Sequence, residues 1–123
     1  MILLNLLFFT QMCMSETITS IEQLNDILKT TSVVLLYFST NSCSVGEALE
    51  PKVKTLITTY FPKIKFQTID INLQPEISAN YNAFVEPTIL VFFEGKETIR
   101  KSRNIGVGEL HNAILRPYKL IFS

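Results

Sequence analysis

Six consecutive apolar residues, Val33-Val34-Leu35-Leu36-Tyr37-Phe38, lie between Ser32 and Ser39, and this run limits the fold more than any other segment. Strand side chains alternate between two faces, so an unbroken apolar strand has to be covered on both. The run is therefore expected to form a central strand, with helices above and below the sheet.

The flanking sequence supplies those helices. Thr19 or Ser20 can cap a helix in which Glu22 or Gln23 returns the capping contact, and Ile21, Leu24, Ile27 and Leu28 recur at helical spacing. After Cys43 the helical pattern resumes through Ala48, Leu49, Val53, Leu56, Ile57 and Tyr60, interrupted by Pro51 and ended by Pro62. Lys65 to Asp70 reads as a second, parallel strand, and Pro75 opens a short helix reaching Tyr81. Thr88 to Phe93 is expected to form a strand, Glu94-Gly95-Lys96 a tight turn, and Glu97 to Asn104 the antiparallel partner. Gly108 and Glu109 introduce a last helix with Leu110, Ala113 and Ile114 inward. The two halves make a βαβ unit joined to a ββα unit, an α/β fold with a three-layer α/β/α arrangement around a mixed sheet.

With 123 residues, a 47% apolar fraction and a mean hydropathy of +0.27, the chain can bury one core. Eleven basic and eleven acidic side chains cancel. A nucleic-acid partner calls for a net basic face, so none is expected. The most basic stretch, Lys96 to Arg103, interleaves charge with Thr98, Ile99 and Ser102, as the solvated face of an edge strand does. No metal and no cofactor are expected: two cysteines and the lone His111, an ordinary helix residue by its neighbours, fall short of a structural zinc set.

Residues 1–13, MILLNLLFFTQMC, form an apolar N-terminal extension, with Met14 as an alternative start and residues 14–123 as the domain. The apolar run carries no Lys or Arg before it and is too short to span a bilayer. A lipoprotein reading would acylate Cys13, yet Gln11 and Met12 are bulky where a cleavage site takes small residues. A cytoplasmic protein without a membrane partner is the expectation; export or anchoring through the apolar N-terminus is the alternative.

Cys43 is the candidate for chemistry. It follows the buried strand and opens a helix, where unpaired N–H groups and the helix dipole favour a thiolate, the nucleophilic form. The plainer alternative is a small buried residue that fills space.

The stretch VVLLYFSTNSCSVGEALEP resembles the thioredoxin family's strand, active-site turn and kinked helix. In that family a Trp-Cys-Gly-Pro-Cys motif precedes the helix proline; Cys43 matches the nucleophilic cysteine and Pro51 the proline. FQTIDINLQPEISANYNAFVEPTILVFFEGKE resembles the next strand, the short helix and the Val-Pro-Thr segment that leads into the hairpin. The resemblance implies a thioredoxin fold and a cis bond before Pro87, the plainer alternative being a trans proline opening a strand. It also implies redox homeostasis as the role and, with Ser42, Ser44, Val45, Gly46, Glu86, Pro87, Thr88 and Gly106, a groove beside Cys43 for an extended peptide.

Departures from the family pattern narrow that expectation. Gly46 stands where a dithiol thioredoxin has its resolving cysteine, giving a monothiol Cys-x-x-Gly motif. Val45 replaces the motif's proline, Ser42 its tryptophan, and Tyr37 stands where many thioredoxins place a buried acid. Glu86 and Glu47 oppose a second negative charge while the helix start favours it, so Cys43 is expected to be weakly to moderately reactive. The implied function is thiol–disulfide exchange through one cysteine with an external resolving thiol. Its substrates are protein or peptide thiols and disulfides, with glutathione as a candidate. An efficient dithiol reductase is not expected, and the alternative is an inactive adaptor that binds peptides in the same groove.

Overall fold

A computed structural model describes residues 18–40, 44–103 and 105–122, with 44–48 described by backbone alone. The element order is α1 (Ile21–Thr30), β1 (Val33–Ser39), α2 (Ser44–Tyr60), β2 (Lys65–Asp70), α3 (Pro75–Asn80), β3 (Thr88–Phe93), β4 (Lys96–Ser102) and α4 (Val107–Phe122). The strands form one sheet in the order β2-β1-β3-β4. β1 runs parallel to β2 and antiparallel to β3, and β3 pairs antiparallel with β4.

β1 divides the core as its apolar run requires. Val33, Leu35 and Tyr37 belong to one cluster with Val53 and Ile57 of α2 and Leu110 and Ile114 of α4. Val34, Leu36 and Phe38 belong to the other, with Leu24 of α1 and Ile77 of α3. The six apolar side chains of β1, Val33 to Phe38, are fully buried. Each aliphatic one contributes about 1.5–3 kcal/mol of transfer free energy, which makes a register slip by one residue costly.

The N-terminus of α1 settles the capping alternatives. Ser20 Oγ accepts from the Gln23 N–H at 3.1 Å, while Gln23 Oε1 accepts from the Thr19 N–H at 2.9 Å. The return contact thus falls one residue before the cap, and Glu22 takes no part in it.

The hairpin corrects the expected strand boundaries. Glu94 and Gly95 have φ of 54° and 80°, the two positive values of a two-residue turn, so Lys96 already pairs with Phe93 and belongs to β4. β4 stops at Ser102, and Arg103 follows with φ of 63°; Asn104, placed in the strand by sequence, lies outside the described residues. β4 is an edge strand, solvated except at Ile99 and partly at Lys101.

Both long helices run through a proline, Pro51 in α2 and Pro117 in α4. Past Pro117, Tyr118, Ile121 and Phe122 pack against the core, with the Tyr118 ring 4.9 Å from Phe61. That packing offsets part of the cost of the backbone bond a proline removes. His111 sits between Tyr60 and Phe61, at 5.1 and 5.3 Å. Among the described residues no helix is long and apolar enough to cross a membrane. Residues 1–13, including Cys13, lie outside the description.

Candidate functional site

The site end of the sheet follows from strand direction. β1 ends at Ser39 and β2 at Asp70, whereas the antiparallel β3 begins there with Thr88 opposite Phe38. α2 starts at the same end with Ser44, the residue after Cys43. Cys43 and Ser42 lie outside the described residues. Ser44, Val45 and Gly46 form the first turn of α2, their backbone alone being described.

Glu86, Pro87 and Thr88 make the bend that enters β3. The Glu86–Pro87 peptide bond is cis. Thr88 is 2% exposed, and its hydroxyl donates back to the Val85 carbonyl, closing the bend on itself. Pro87 is buried, and its carbonyl accepts from the Arg103 N–H at 3.0 Å. That bond fastens the bend to the connection between β4 and α4, which carries Gly106. Gly106 is exposed, and its carbonyl accepts the first helical bond of α4 from the Leu110 N–H at 2.9 Å.

Charge around this connection is largely paired. Lys101 Nζ lies 2.8 Å from Glu109 Oε1, an ion pair that brackets residues 102 to 108. The Lys101 hydrogen bond and charge hold the Glu109 carboxyl below its ordinary range. Arg100 pairs with Glu97 at 2.8 Å and also donates to the Tyr81 carbonyl at 2.7 Å, locking β4 to the end of α3. Hydrogen bonding to Glu97 raises the Arg100 guanidinium above its ordinary value. Tyr81 is raised mainly by burial. Glu86 differs from these groups: its Oε1 is shut from solvent and has no hydrogen-bond partner among the described residues.

Sequence reasoning missed three features here. Arg103 contributes a backbone donor, and its only signal, a positive φ at a non-glycine, is invisible in the chain. Phe84, two residues before Glu86, is 64% exposed. Val107 joins Pro51, Lys52 and Thr55 around an apolar cleft of about 410 Å³. A larger cleft of about 530 Å³, lined by Leu28, Lys29, Tyr81, Glu94 and Gly95, sits by the hairpin turn, at the other end of β3. It belongs to no part of the site. In place of the buried acid of many thioredoxins, Tyr37 is fully buried and stacks on Phe66 at 6.1 Å.

Comparison with known proteins decides what this architecture is. The family profile described as Thioredoxin matches residues 15–116. This chain belongs to the thioredoxin family. Thioredoxin-like protein YdfQ of Bacillus subtilis is 26% identical over 101 residues, covering 82% of this chain and 89% of that one. Chloroplastic thioredoxin M2 of Arabidopsis thaliana is 33% identical over 92 residues, 68% of this chain and 50% of that protein. The crystal structure of oxidized mitochondrial thioredoxin 3 from Saccharomyces cerevisiae superposes with a TM-score of 0.72 at 18% identity, over 80% of this chain and 91% of that one. The thioredoxin fold is thereby shown, and thiol–disulfide redox chemistry on protein thiols is the functional class of the thioredoxin family to which the chain belongs.

Proposed function

We propose that this thioredoxin-family protein exchanges disulfides through Cys43 alone, with an external thiol completing each cycle. One observation carries the reading: the chain has only Cys13 and Cys43, and Gly46 occupies the place three residues after Cys43. A dithiol reductase releases its product by attack from that place. Glycine has no thiol to do so.

The Cys43 thiolate attacks a partner disulfide R–S–S–R′, forming Cys43–S–S–R and breaking the original S–S bond. R′–S⁻ leaves and takes a proton from water. An external thiolate R″–S⁻ then attacks the sulfur of R, giving R–S–S–R″ and returning Cys43 as thiolate. One disulfide enters and one leaves, so electrons balance. With R a glutathionyl group and R″ glutathione, the sum is deglutathionylation of R′; with protein thiols throughout, it is disulfide isomerisation. Helix α2 starting at Ser44 supports the first step, since its unpaired first-turn N–H groups favour an anion on the preceding residue. The bend at Glu86, Pro87 and Thr88, with Gly106 held near it through Arg103, supports an extended partner lying across the same end of the sheet.

Incubation with oxidised glutathione followed by intact mass and peptide mapping tests this reading. One glutathionyl group on Cys43, absent from Cys43→Ser, is the expected result. No adduct under conditions that modify a control thiol overturns it. Peptide binding that survives in Cys43→Ser would then make the protein an adaptor.

A further inference from the structure

We infer that the cleft between α1 and the β3–β4 turn is a binding site for a small zwitterion of dipeptide size, its ammonium end directed to Glu94 and its carboxylate to Lys29. The cleft measures about 530 Å³, and Leu28, Lys29, Tyr81, Glu94 and Gly95 are among the residues that line it. Small-molecule sites fall in this size range. It lies at the other end of β3 from Pro87, away from the bend described above. Backbone fixes its walls: the Glu94 N–H donates to the Ser32 carbonyl at 2.7 Å, joining the turn to the connection between α1 and β1.

Two opposite charges stand in this cleft without meeting. Lys29 and Glu94 are both exposed, and neither makes an ion pair with the other or with another described residue. Carbonyl groups reinforce the negative side. The Thr31 N–H caps the Ile27 carbonyl at 2.9 Å, but the Leu28, Lys29 and Thr30 carbonyls that follow accept from no backbone donor among the described residues. A helix C-terminus left open in this way favours a cation. Gly95 runs beside the Leu28 carbonyl, where a Cβ would come within 3.6 Å of it, and the missing side chain leaves that carbonyl uncovered. Burial raises the Tyr81 phenol above its ordinary value, so its hydroxyl keeps its proton and can donate to a carboxylate in the cleft. A simple cation is repelled by Lys29, and a simple anion by Glu94 and the helix carbonyls. A molecule carrying both charges satisfies each wall. Leu28 and Tyr81, whose ring packs edge-on against Phe92 at 5.6 Å, add apolar surface for a side chain of the ligand.

The test titrates glycyl-leucine, its N-acetyl form and its C-terminal amide into the full chain, Glu94→Gln and Lys29→Gln, with backbone amide shifts read by NMR at low salt. Both substituted residues are exposed, so the fold tolerates the changes. Glycyl-leucine is expected to give saturable shifts at Leu28, Thr31 and Gly95, and removal of either charge to weaken binding about three- to tenfold. Glu94→Gln is expected to erase the cost of acetylation alone, and Lys29→Gln that of amidation alone. Cys43→Ser is expected to bind all three as the unaltered chain does, which keeps this outcome separate from the exchange reading. No saturable shift with glycyl-leucine, equal Kd values for the free and capped forms, or a capping cost that survives both substitutions overturns the assignment.

Discussion

The Arg103 N–H donates to the Pro87 carbonyl across 3.0 Å, tying the bend that enters β3 to the connection that leaves β4. Thr88 pairs with Ser102 next to that bond, and the Lys101–Glu109 ion pair closes the connection from outside. That one bond ties the cis-proline bend to the connection carrying Gly106, and a partner lying across this end of the sheet, as proposed, would meet a preorganised edge.

The outer tie is pH-dependent with a definite sign. Lys101 holds the Glu109 carboxyl below its ordinary range, so the folded chain binds that proton less readily than the unfolded one. Its stabilising contribution is present above the ordinary carboxylate range and is lost as pH falls through the lowered value. Denaturant titrations should show Glu109→Gln slightly less stable than the unaltered chain near neutral pH, with the difference shrinking as pH falls below the ordinary carboxylate range and through the lowered value. Because the pair is solvent-exposed, added salt should shrink the difference too.

Ser78 is 1% exposed, and its hydroxyl has no partner among the described residues. Removing a buried donor that bonds to nothing relieves a desolvation cost, so Ser78→Ala should stabilise the fold by about 1 kcal/mol in chemical denaturation. A destabilised variant would show that the hydroxyl is satisfied in solution.

Gly95 has φ of +80°, where an L side chain is strained, although a Cβ there would meet only the Leu28 carbonyl at an ordinary 3.6 Å. Gly95→Ala should therefore lose about 1 kcal/mol through backbone conformation, without a clash. The denaturation midpoint should fall while the far-UV spectrum stays unchanged.

These positions show what the chain makes legible. The apolar run from Val33 to Phe38 announces a strand buried on both faces because six residues leave no solvent side, whereas the order β2-β1-β3-β4 is set by pairings between segments distant in sequence. The cis bond before Pro87 is legible through the family resemblance of the segment that leads into the hairpin, since a proline alone leaves cis and trans open. Hairpin limits are not, because Glu94 takes a positive φ without being glycine and so moves Lys96 into β4. The reach of α4 past Pro117 is hidden for a different reason: it depends on Tyr118 meeting Phe61, a contact between residues distant in sequence. Arg103 escapes notice likewise, since its contribution is a backbone donor that any non-proline residue could supply.

If the scaffold lacks only a resolving thiol, Gly46→Cys should restore one. An insulin reduction assay driven by dithiothreitol is expected to rise at least about tenfold above the unaltered chain for this variant, as intramolecular attack replaces a bimolecular step. No gain would mean that Val45, Ser42 or Tyr37 has altered the site beyond the missing sulfur.

Turnover of a glutathionylated peptide, followed with and without added glutathione, probes the single-thiol cycle most directly. At most one peptide thiol released per protein without glutathione, repeated cycles with it, and no release above background by Cys43→Ser are the predicted results. Repeated turnover in the absence of any external thiol, or undiminished turnover by Cys43→Ser, would contradict the account.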